Sequence, residues 1–531
     1  MAYNKDLREV LAELERRGKL ITVTREINKD TQLHPLMRIQ YRGLPEEERK
    51  AWLFTNVVDS RGRRYSVPVV SGVFAASREI YAMGMMCKLD EVRDKWVQAL
   101  LHPIEPVMVE SGPVQEEVHV GDTLLKHGGL DEFPIPISTP GYDIAPFFTC
   151  PNWVTKDPET GVRNVGTYRA HVKSPTRTGI FTASAGKGAR EHWGKWKAMG
   201  KPMPAAIVNG VMPVVGFVAT NGLPSGVDEF TVAGGLAGEP LPLVKCKTVD
   251  LEVPAYAEIV IEGEIITNEV EPESPFGEAT GYMGQREMMP YFNIKCITHR
   301  REPIWQSYLS QYVPSESLLI KNMGGECLQY KRLKYDLGLT AVQQVSHLTE
   351  NGDSYVTVIQ IKKENPDDSQ KVMDALGGGK MIILVDEDIN PRDPIAVNWA
   401  VQQHMQPHRD VRILRGRSYS ALDQSQEPPG GGARRDVRYS DSYDMPESSS
   451  LLIDATRKWA YPPISLPKKE FMEEAVRLWK EEKLPEVELK DPWYGYNLGY
   501  WSEEFDYDAT LAAQGRYYET GEKLAQQRKK I

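Results

Sequence analysis

At 531 residues the chain is long enough for two to four domains, each with a core of its own. With 41% hydrophobic and 26% charged residues it has the make-up of a globular protein, not of a disordered or fibrous one. A formal net charge of −10 without a dense basic run argues against a nucleic-acid partner, so a small anionic substrate has to be drawn in by local positive charge.

The opening Met-Ala-Tyr-Asn-Lys-Asp-Leu-Arg-Glu has no apolar core, and no signal peptide is expected. Helical spacing over residues 4–19 puts Leu7, Val10, Leu11 and Leu14 on one face. Extended segments follow at Trp52–Val57 and Val67–Phe74, then a charged helical stretch near Lys88–Leu101, giving a small α/β domain over 1–110. From about Glu110 the texture becomes dense in Pro and Gly, with strand-like runs at Ala205–Val211, Val214–Ala219, Tyr256–Ile265 and Phe292–His299. The longest apolar region, Pro204 to Thr220, is interrupted by Asn209, Gly210, Pro213 and Gly216. It reads as two buried strands around a turn, not as a membrane span. A β-rich barrel domain is expected over 111–312.

Beyond Pro314, helical Ser315–Leu328, Asp367–Leu376 and Pro394–Met405 alternate with extended Ala341–Leu348, Tyr355–Lys362, Met381–Val385 and Val411–Leu414. That alternation argues an α/β sheet domain over 313–500. Residues 416–449, with Pro428-Pro-Gly-Gly-Gly-Ala-Arg-Arg435, read as a long loop, flexible or acting as a lid. Amphipathic Pro467–Glu482 and Ser502–Lys530 are expected to be helices, and the tail 501–531 suits docking on a neighbouring subunit. Cys87, Cys150, Cys246, Cys296 and Cys327 are scattered and form no CxxC pair. They fit reduced thiols in a cytoplasmic protein, with no zinc knuckle and no disulfide frame.

Two segments carry chemistry. Glu271-Pro-Glu-Ser-Pro-Phe-Gly-Glu-Ala-Thr-Gly-Tyr282 places Glu273 and Glu278 around a Pro-Phe-Gly turn, and Asn164-Val-Gly-Thr-Tyr-Arg169 puts a neutral oxygen ligand and a permanent cation on one short stretch. Carboxylates on a rigid frame beside an Arg suit acid–base work on an anionic substrate. The plainer reading of the acid pair is a solvated turn. Against it, a Pro-Phe-Gly core would hold the second Glu near apolar groups, where burial raises a carboxyl pKa toward the general-acid range.

Arg169 could equally be a salt-bridging strand residue. On a flat strand Asn164 and Arg169 face opposite ways, so a shared site needs a bulge or turn at Gly166. Glu229 precedes the helical run Phe230–Gly238, where the helix dipole alone favours an acid, so metal binding there needs a partner. His192, in Ala189-Arg-Glu-His-Trp193, reads first as a helix-surface or core histidine. Gly377, Gly378 and Gly379 lack the Lys-Ser/Thr ending of a P-loop and read as a helix-to-strand turn.

The run Val249–Gly263, leading into Glu273–Tyr282, closely resembles the UbiD family of decarboxylases. Asn164–Arg169 looks like that family's cofactor and metal segment. Leu243-Val-Lys-Cys246, Lys380–Asp393 and Asp454-Ala-Thr-Arg-Lys-Trp459 match as well, in the family's order along almost the whole chain. The resemblance implies an α/β (α+β) protein: an N-terminal α/β domain, a central split β-barrel that binds flavin, and a C-terminal α/β oligomerisation domain with terminal helices. It implies reversible, non-oxidative decarboxylation of an aromatic, heteroaromatic or α,β-unsaturated carboxylic acid to release CO2. Prenylated FMN, a Mn2+-type divalent ion and K+ are the implied cofactors, with a flavin prenyltransferase as cofactor supplier. A homodimer or homohexamer, without membrane or nucleic-acid partners, is implied too.

Residue by residue, the resemblance makes Asn164 and Glu229 metal ligands and places Gly166, Thr167 and Tyr168 in the cofactor segment. Arg169 matches the cation that pairs with Glu273 and borders cofactor and substrate carboxylate. Glu278 matches the group that returns a proton to the substrate carbon after CO2 leaves. Ser317 and Lys321 match a helix start facing the flavin, a solvated Lys321 being the plainer reading.

Two departures stand out. Where relatives carry a metal-binding His in a Gly-Lys-His context, Ser184-Ala-Gly-Lys-Gly188 has Gly188, and His192 one helical turn further on is the candidate substitute. Where many relatives carry a phosphate-contacting Lys, this chain has Ser450, with Lys458 as a replacement only by proximity in sequence. The departures motivate an alternative, a non-catalytic or accessory subunit of a multi-component carboxylase. A metal-dependent hydrolase lacks a dense His/Asp ligand cluster.

Overall fold

In the computed structural model, residues 4–182, 188–273, 275–284, 286–348, 355–377, 379–416, 423, 425–426, 437–438 and 448–530 are described. The chain divides into two compact units, Met1–Gly338 with His347–Val356 and Arg415–Ser449, and Leu339–Ser346 with Thr357–Leu414 and Ser450–Ile531.

The first unit starts with the helix Leu7–Arg16, capped by Asp6, whose carboxylate accepts the Glu9 N–H at 3.0 Å. The expected stripe of Leu7, Val10, Leu11 and Leu14 is its buried face. A four-stranded sheet follows in the order Leu20–Val23, Ala51–Phe54, Val69–Ser71, Trp305–Gln306. Its last strand comes from far along the chain and pairs parallel with Val69–Val70, so the small N-terminal layer is sewn to the central domain.

The central domain is a nine-stranded sheet. Eight strands run in the order Arg163–Thr167, Asn152–Lys156, Met203–Asn209, Ile259–Ile265, Tyr291–His299, Arg177–Gly179, Ala170–Ser174, Phe147–Phe148, and Glu117–Val120 pairs with Tyr291–His299. Consecutive strands Arg163–Thr167 and Ala170–Ser174 thus lie six strand spacings apart, which in a flat sheet is about 29 Å. Only Tyr168 and Arg169 join them, and three Cα steps span at most about 11 Å. The sheet is therefore curled into a half-barrel, with Tyr168–Arg169 stitching its two ends together. Trp153, fully buried, donates its indole N–H to the Tyr168 carbonyl at 2.7 Å and satisfies the backbone at that seam.

Three helices, Gly188–Ala198, Pro213–Thr220 and Glu229–Ala237, pack against the strand Arg163–Thr167. The middle one corrects the sequence reading of two strands over Pro204–Thr220: Met203–Asn209 is a strand, but Pro213–Thr220 is a helix with Pro at its first position. Residues Pro213 to Ala219 of that helix are all buried. An all-round apolar helix has no stripe, so its periodicity could not separate it from a buried strand. The helix Glu316–Lys331 begins at Ser315, and its first carboxylate, from fully buried Glu316, accepts the N–H groups of Gly72 at 2.7 Å and Phe74 at 3.0 Å.

The second unit holds a five-stranded sheet, Val342–His347, Val356–Ile361, Met381–Asp386, Ser449–Ala455, Val411–Arg415 in spatial order, with the helices Asp368–Ala375 and Pro394–His404. Met381–Asp386 and Ser449–Ala455 are parallel, as expected of a strand–helix alternation. Past the helix Lys469–Glu481, the single terminal helix expected over Ser502–Lys530 is two, Glu503–Ala513 and Tyr517–Ala525. Gly515 separates them at φ +76°. Most of the loop expected over 416–449 lies outside the described residues. All five cysteines are free thiols. Among the described residues no helix is long and apolar enough to cross a membrane.

Candidate active site

The seam residue Arg169 is the centre of the site. Its guanidinium makes a two-pronged pair with Glu273, Nε to Oε1 at 3.2 Å and Nη2 to Oε2 at 3.0 Å, and its Nη1 donates to Glu278 Oε1. The side chains of Arg169, Glu273 and Glu278 are 8%, 0% and 12% exposed, so one buried cation faces two carboxyl groups with little water to share. The guanidinium also lies 3.8 Å from the centre of the Phe181 ring and 5.2 Å from that of Phe276.

Glu273 sits on the strand Glu271–Glu273, which Lys173 clamps through Glu271 at 2.8 Å and the Pro272 carbonyl at 2.9 Å. Glu278 sits on a tight hairpin closed by Glu278 N–H to Tyr282 O and Gly284 N–H to Phe276 O, both at 2.8 Å. Gly284 is required there, because a Cβ on it would come within 2.7 Å of the Glu278 carboxylate.

Burial pushes the Glu278 carboxyl pKa up. Arg169 opposes that shift, and the neighbouring Glu273 and Glu287 add to it. Burial works against the Arg169 cation, but Glu278 and Glu273 outweigh it and hold its pKa above the ordinary value. On the adjoining strand, burial pushes His171 down to about 4. Its ring stacks on Phe147 at 4.9 Å.

A second cluster surrounds the edge strand Arg163–Thr167. The bulge expected at Gly166 is absent: Gly166 pairs in regular register with Trp153, and the chain turns at Tyr168–Arg169 instead. Gly166 is needed for room, since a Cβ there would lie 2.5 Å from the Tyr168 ring. Thr167 donates to Asn152 Oδ1 at 3.3 Å. Glu229, at the start of its helix, reaches this edge and accepts the Val165 N–H at 2.8 Å. Burial raises its carboxyl pKa to about 8, against that backbone hydrogen bond.

Asn164 is the register partner of Thr155 and so shares a sheet face with it. The Thr155 hydroxyl is 2.9 Å from His192 Nδ1. Asn164, Glu229 and His192 therefore gather around one short strand. Burial lowers the His192 pKa and favours the neutral imidazole a metal needs. The buried Asn164 Nδ2 has no hydrogen-bond partner among the described residues. A cation fits this donor set: it would discharge the buried Glu229 carboxylate and take the amide oxygen once Asn164 is turned over.

Gly188 has a structural reason. A Cβ there would fall 1.9 Å from Asn164 Oδ1 and 2.6 Å from its Cγ. Ser184 to Lys187 of that motif lie outside the described residues. Of the other candidates, Ser317 donates its N–H to the Leu309 carbonyl at 3.3 Å, and Lys321 is half-buried instead of solvated. Ser450 donates to the Gly379 carbonyl at 2.8 Å. Lys458 is held within its own unit by the Thr456 carbonyl at 2.7 Å and the Asp454 carboxylate at 3.1 Å.

The sequence reading missed Gln311. It has a left-handed backbone, φ +71°, is 5% exposed, and both its amide atoms are buried without partners among the described residues. Its Cγ lies 2.3 Å from where a Gly277 Cβ would be, beside the Glu278 hairpin. Nothing in Ser310-Gln-Tyr-Val-Pro314 signals a strained backbone, so the residue could be found only in three dimensions.

Three family models match the chain: the 3-octaprenyl-4-hydroxybenzoate carboxy-lyase N-terminal domain over residues 11–100, its Rift-related domain over 106–312 and its C-terminal domain over 326–447. The chain belongs to the UbiD family. An uncharacterized protein of Archaeoglobus fulgidus is 32% identical over 86% of this chain and 93% of its own length. Among solved structures, an evolved dimeric form of the UbiD-class enzyme HmfF from Pelotomaculum thermopropionicum in complex with prFMN is similar at TM-score 0.74 and 31% identity, covering 89% of this chain and 100% of its own. Vanillic acid decarboxylase of Sedimentibacter hydroxybenzoicus is similar at TM-score 0.76 and 26% identity, over 91% and 100%. The 3,4-dihydroxybenzoic acid decarboxylase of Enterobacter cloacae is similar at TM-score 0.72 and 26% identity, over 92% and 98%. The protein is accordingly a UbiD-family carboxy-lyase, and the curled sheet with its α/β neighbours is the fold of that family.

Proposed function

We propose that this protein is a reversible, non-oxidative decarboxylase of aromatic or heteroaromatic carboxylic acids that works with prenylated FMN, with Glu278 as proton donor and Arg169–Glu273 as the ionic pair that orients it. The observation that carries this reading is the buried Arg169 guanidinium held between the Glu273 and Glu278 carboxyl groups at the seam of the half-barrel. The vanillic and dihydroxybenzoic acid decarboxylases among the similar structures support the aryl class, and the HmfF–prFMN complex supports the cofactor.

Prenylated flavin, when bound, supplies the electron sink for the substrate carbon that loses CO2. Arg169 attracts and orients the substrate carboxylate, with Glu273 fixing the plane of the guanidinium. Departure of CO2 leaves an electron pair on that carbon. Glu278, whose burial favours the protonated form, gives its proton there, a C–H bond forms, and the carboxylate left behind is reprotonated from solvent. The balance is one carboxylate and one proton in, one hydrocarbon C–H and one CO2 out. Asn164, Glu229 and His192 would hold the Mn2+-type ion that anchors the cofactor beside K+. A flavin prenyltransferase would supply that cofactor. Assembly as a homodimer or homohexamer is supported by the helix Lys469–Glu481, which buries no residue and exposes Phe471, Leu478 and Trp479.

The test is co-expression with a flavin prenyltransferase and Mn2+, followed by an aryl-acid panel assayed for CO2 release and for exchange of labelled bicarbonate. Glu278→Gln should keep its flavin and lose turnover by about 10²-fold or more. Flavin-loaded protein that turns over no acid in either direction would favour the accessory-subunit alternative.

A further inference from the structure

Outside the proposed catalytic set, three histidines and a glutamate converge at one edge of the half-barrel. His119, on the strand Glu117–Val120, and His299, on Tyr291–His299, lie diagonally across an antiparallel pair, with His119 opposite Ile297 and His299 opposite Glu117. That register puts both rings on one sheet face, and their centres are 4.9 Å apart. The chain then folds back through the short helix Asp122–Lys126 and lays His127 nearly parallel to His119 at 3.8 Å. Gly128 and Gly129, both left-handed at φ +90° and +56°, bring Glu132 underneath.

The Glu132 carboxylate is divided between two rings. Its Oε2 is 3.1 Å from His119 Nδ1 and its Oε1 is 3.4 Å from His299 Nε2. One ligand atom each from His119, His127 and Glu132 lie within 4.8 Å of one another.

His299 points to a ligand independently of that cluster. It is 4% exposed, and its Nδ1 is 2.6 Å from the Arg300 carbonyl, which can only accept. Nδ1 therefore carries the proton, and in the neutral ring Nε2 is a bare lone pair. That lone pair faces a carboxylate oxygen at ion-pair distance without hydrogen-bond geometry, and Nε2 has no hydrogen-bond partner among the described residues. Two electron-rich atoms held face to face in a buried setting require a positive centre between them, either a proton on Nε2 that makes His299 an imidazolium paired with Glu132 or a metal ion in its place.

We propose that His119, His127, Glu132 and His299 form a second divalent-metal site of the Zn2+ class, separate from the cofactor metal. Three imidazoles and one carboxylate make the nitrogen-rich, four-ligand set that zinc takes in tetrahedral sites, whereas the oxygen-richer Asn164–Glu229–His192 set suits a harder ion. The ion joins the strand Glu117–Val120, the 122–132 segment and the strand Tyr291–His299, adding a cross-link to a segment already anchored by buried Leu124 and Leu130 and by the Leu130 N–H to the Pro175 carbonyl at 2.8 Å. His127 is exposed and gives the ion an entry path.

The test is metal uptake by the full chain, stripped with chelator and dialysed against ZnCl2, with zinc measured by elemental mass spectrometry and Co2+ titration read in the visible spectrum. The parent should bind one equivalent of zinc that survives Glu229→Ala and is lost in His127→Ala. Glu132→Gln should bind about tenfold or more weakly. Co2+ should give tetrahedral d–d bands in the parent and none in His127→Ala. Because His127 is exposed, metal-free His127→Ala should melt with the metal-free parent, which separates loss of the site from loss of the fold. Zinc content and Co2+ bands unchanged in His127→Ala would overturn the site. So would a parent that takes up no zinc while its histidines titrate freely with ZnCl2 present, leaving protons as the only positive centres at Glu132.

Discussion

The helix Gly188–Ala198 carries two glycines whose replacement by alanine should have opposite signs. Around Gly194 there is nothing within 4 Å of an added Cβ, so Gly194→Ala should stabilise the helix by about 0.5–1 kcal/mol, the ordinary gain on leaving glycine inside a helix. At Gly188 the same methyl falls 1.9 Å from Asn164 Oδ1, 2.6 Å from its Cγ and 3.1 Å from its Cβ. The neighbour is a buried side chain on a central-sheet strand, not the free end of a flexible one. Overpacking of that kind costs about 1–3 kcal/mol, which exceeds any helix gain at a first helical residue, and it turns Asn164 out of the proposed metal shell.

Amide hydrogen exchange across 188–198, which reads local stability in a multi-unit protein, should show slower exchange in Gly194→Ala and faster exchange in Gly188→Ala. Flavin and metal content should fall only in the second. Gly188→His, which introduces the residue that the family resemblance leads one to expect there, should fail to raise metal content, because the colliding atom is the Cβ common to both substitutions. Equal protection and equal flavin content in the two alanine variants would refute the placement of Asn164 and the argument built on it.

Glu229 gives a pH prediction. Burial raises its carboxyl pKa from 4.5 to about 8, so in metal-free protein it favours the folded state fully below about 4.5, and that contribution is lost as pH rises through about 8. The unfolding midpoint of stripped protein should fall across that window, and Glu229→Gln should flatten the fall; parallel curves would be inconsistent with a buried titrating carboxyl. Metal binding must expel the same proton, so Mn2+ affinity measured by titration should climb with pH up to about 8 and then level off. The Gln311 amide, unpartnered among the described residues and beside the Glu278 hairpin, is placed to meet the proposed aryl acid, so Gln311→Ala should leave flavin content intact and raise KM by about tenfold or less, the worth of one hydrogen bond; an unchanged KM would refute a substrate contact at Gln311. Glu273→Ala leaves a buried guanidinium short of a partner and should destabilise by about 3–5 kcal/mol, which a thermal melt with a clearly lowered midpoint would register and an unshifted one would contradict.

Much of the scaffold was readable from residues alone. The Leu7, Val10, Leu11, Leu14 stripe marked a helix because one side of it faces water, and the strand–helix alternation of the second unit followed its apolar runs. Pro213–Thr220 was misread because burial on every side erases the period that distinguishes helix from strand. The Ser502–Lys530 segment was misread because amphipathic spacing continues across Gly515 while the backbone does not. At the site, spacing could place Glu273 and Glu278 on one turn, but Arg169 is 104 and 109 residues away from them, and its pairing with both follows from sheet closure. The family resemblance anticipated the pairing with Glu273 but not the contact with Glu278. Neither composition nor resemblance could supply the reason for Gly188, which is a distance between two atoms that meet only when helix and strand are packed.

The two-residue stitch at Tyr168–Arg169 makes assembly of the site contingent on long-range order. Its cation reaches its carboxylates only after six strand spacings have been laid down and bent round, so a chain with its secondary structure in place but its sheet still open has Arg169 stranded at a frayed edge. Such a species would retain most of its circular dichroism and none of its acid–base apparatus. Activity in this protein is therefore an all-or-none indicator of barrel closure, and refolding followed by turnover should lag behind refolding followed by backbone signal.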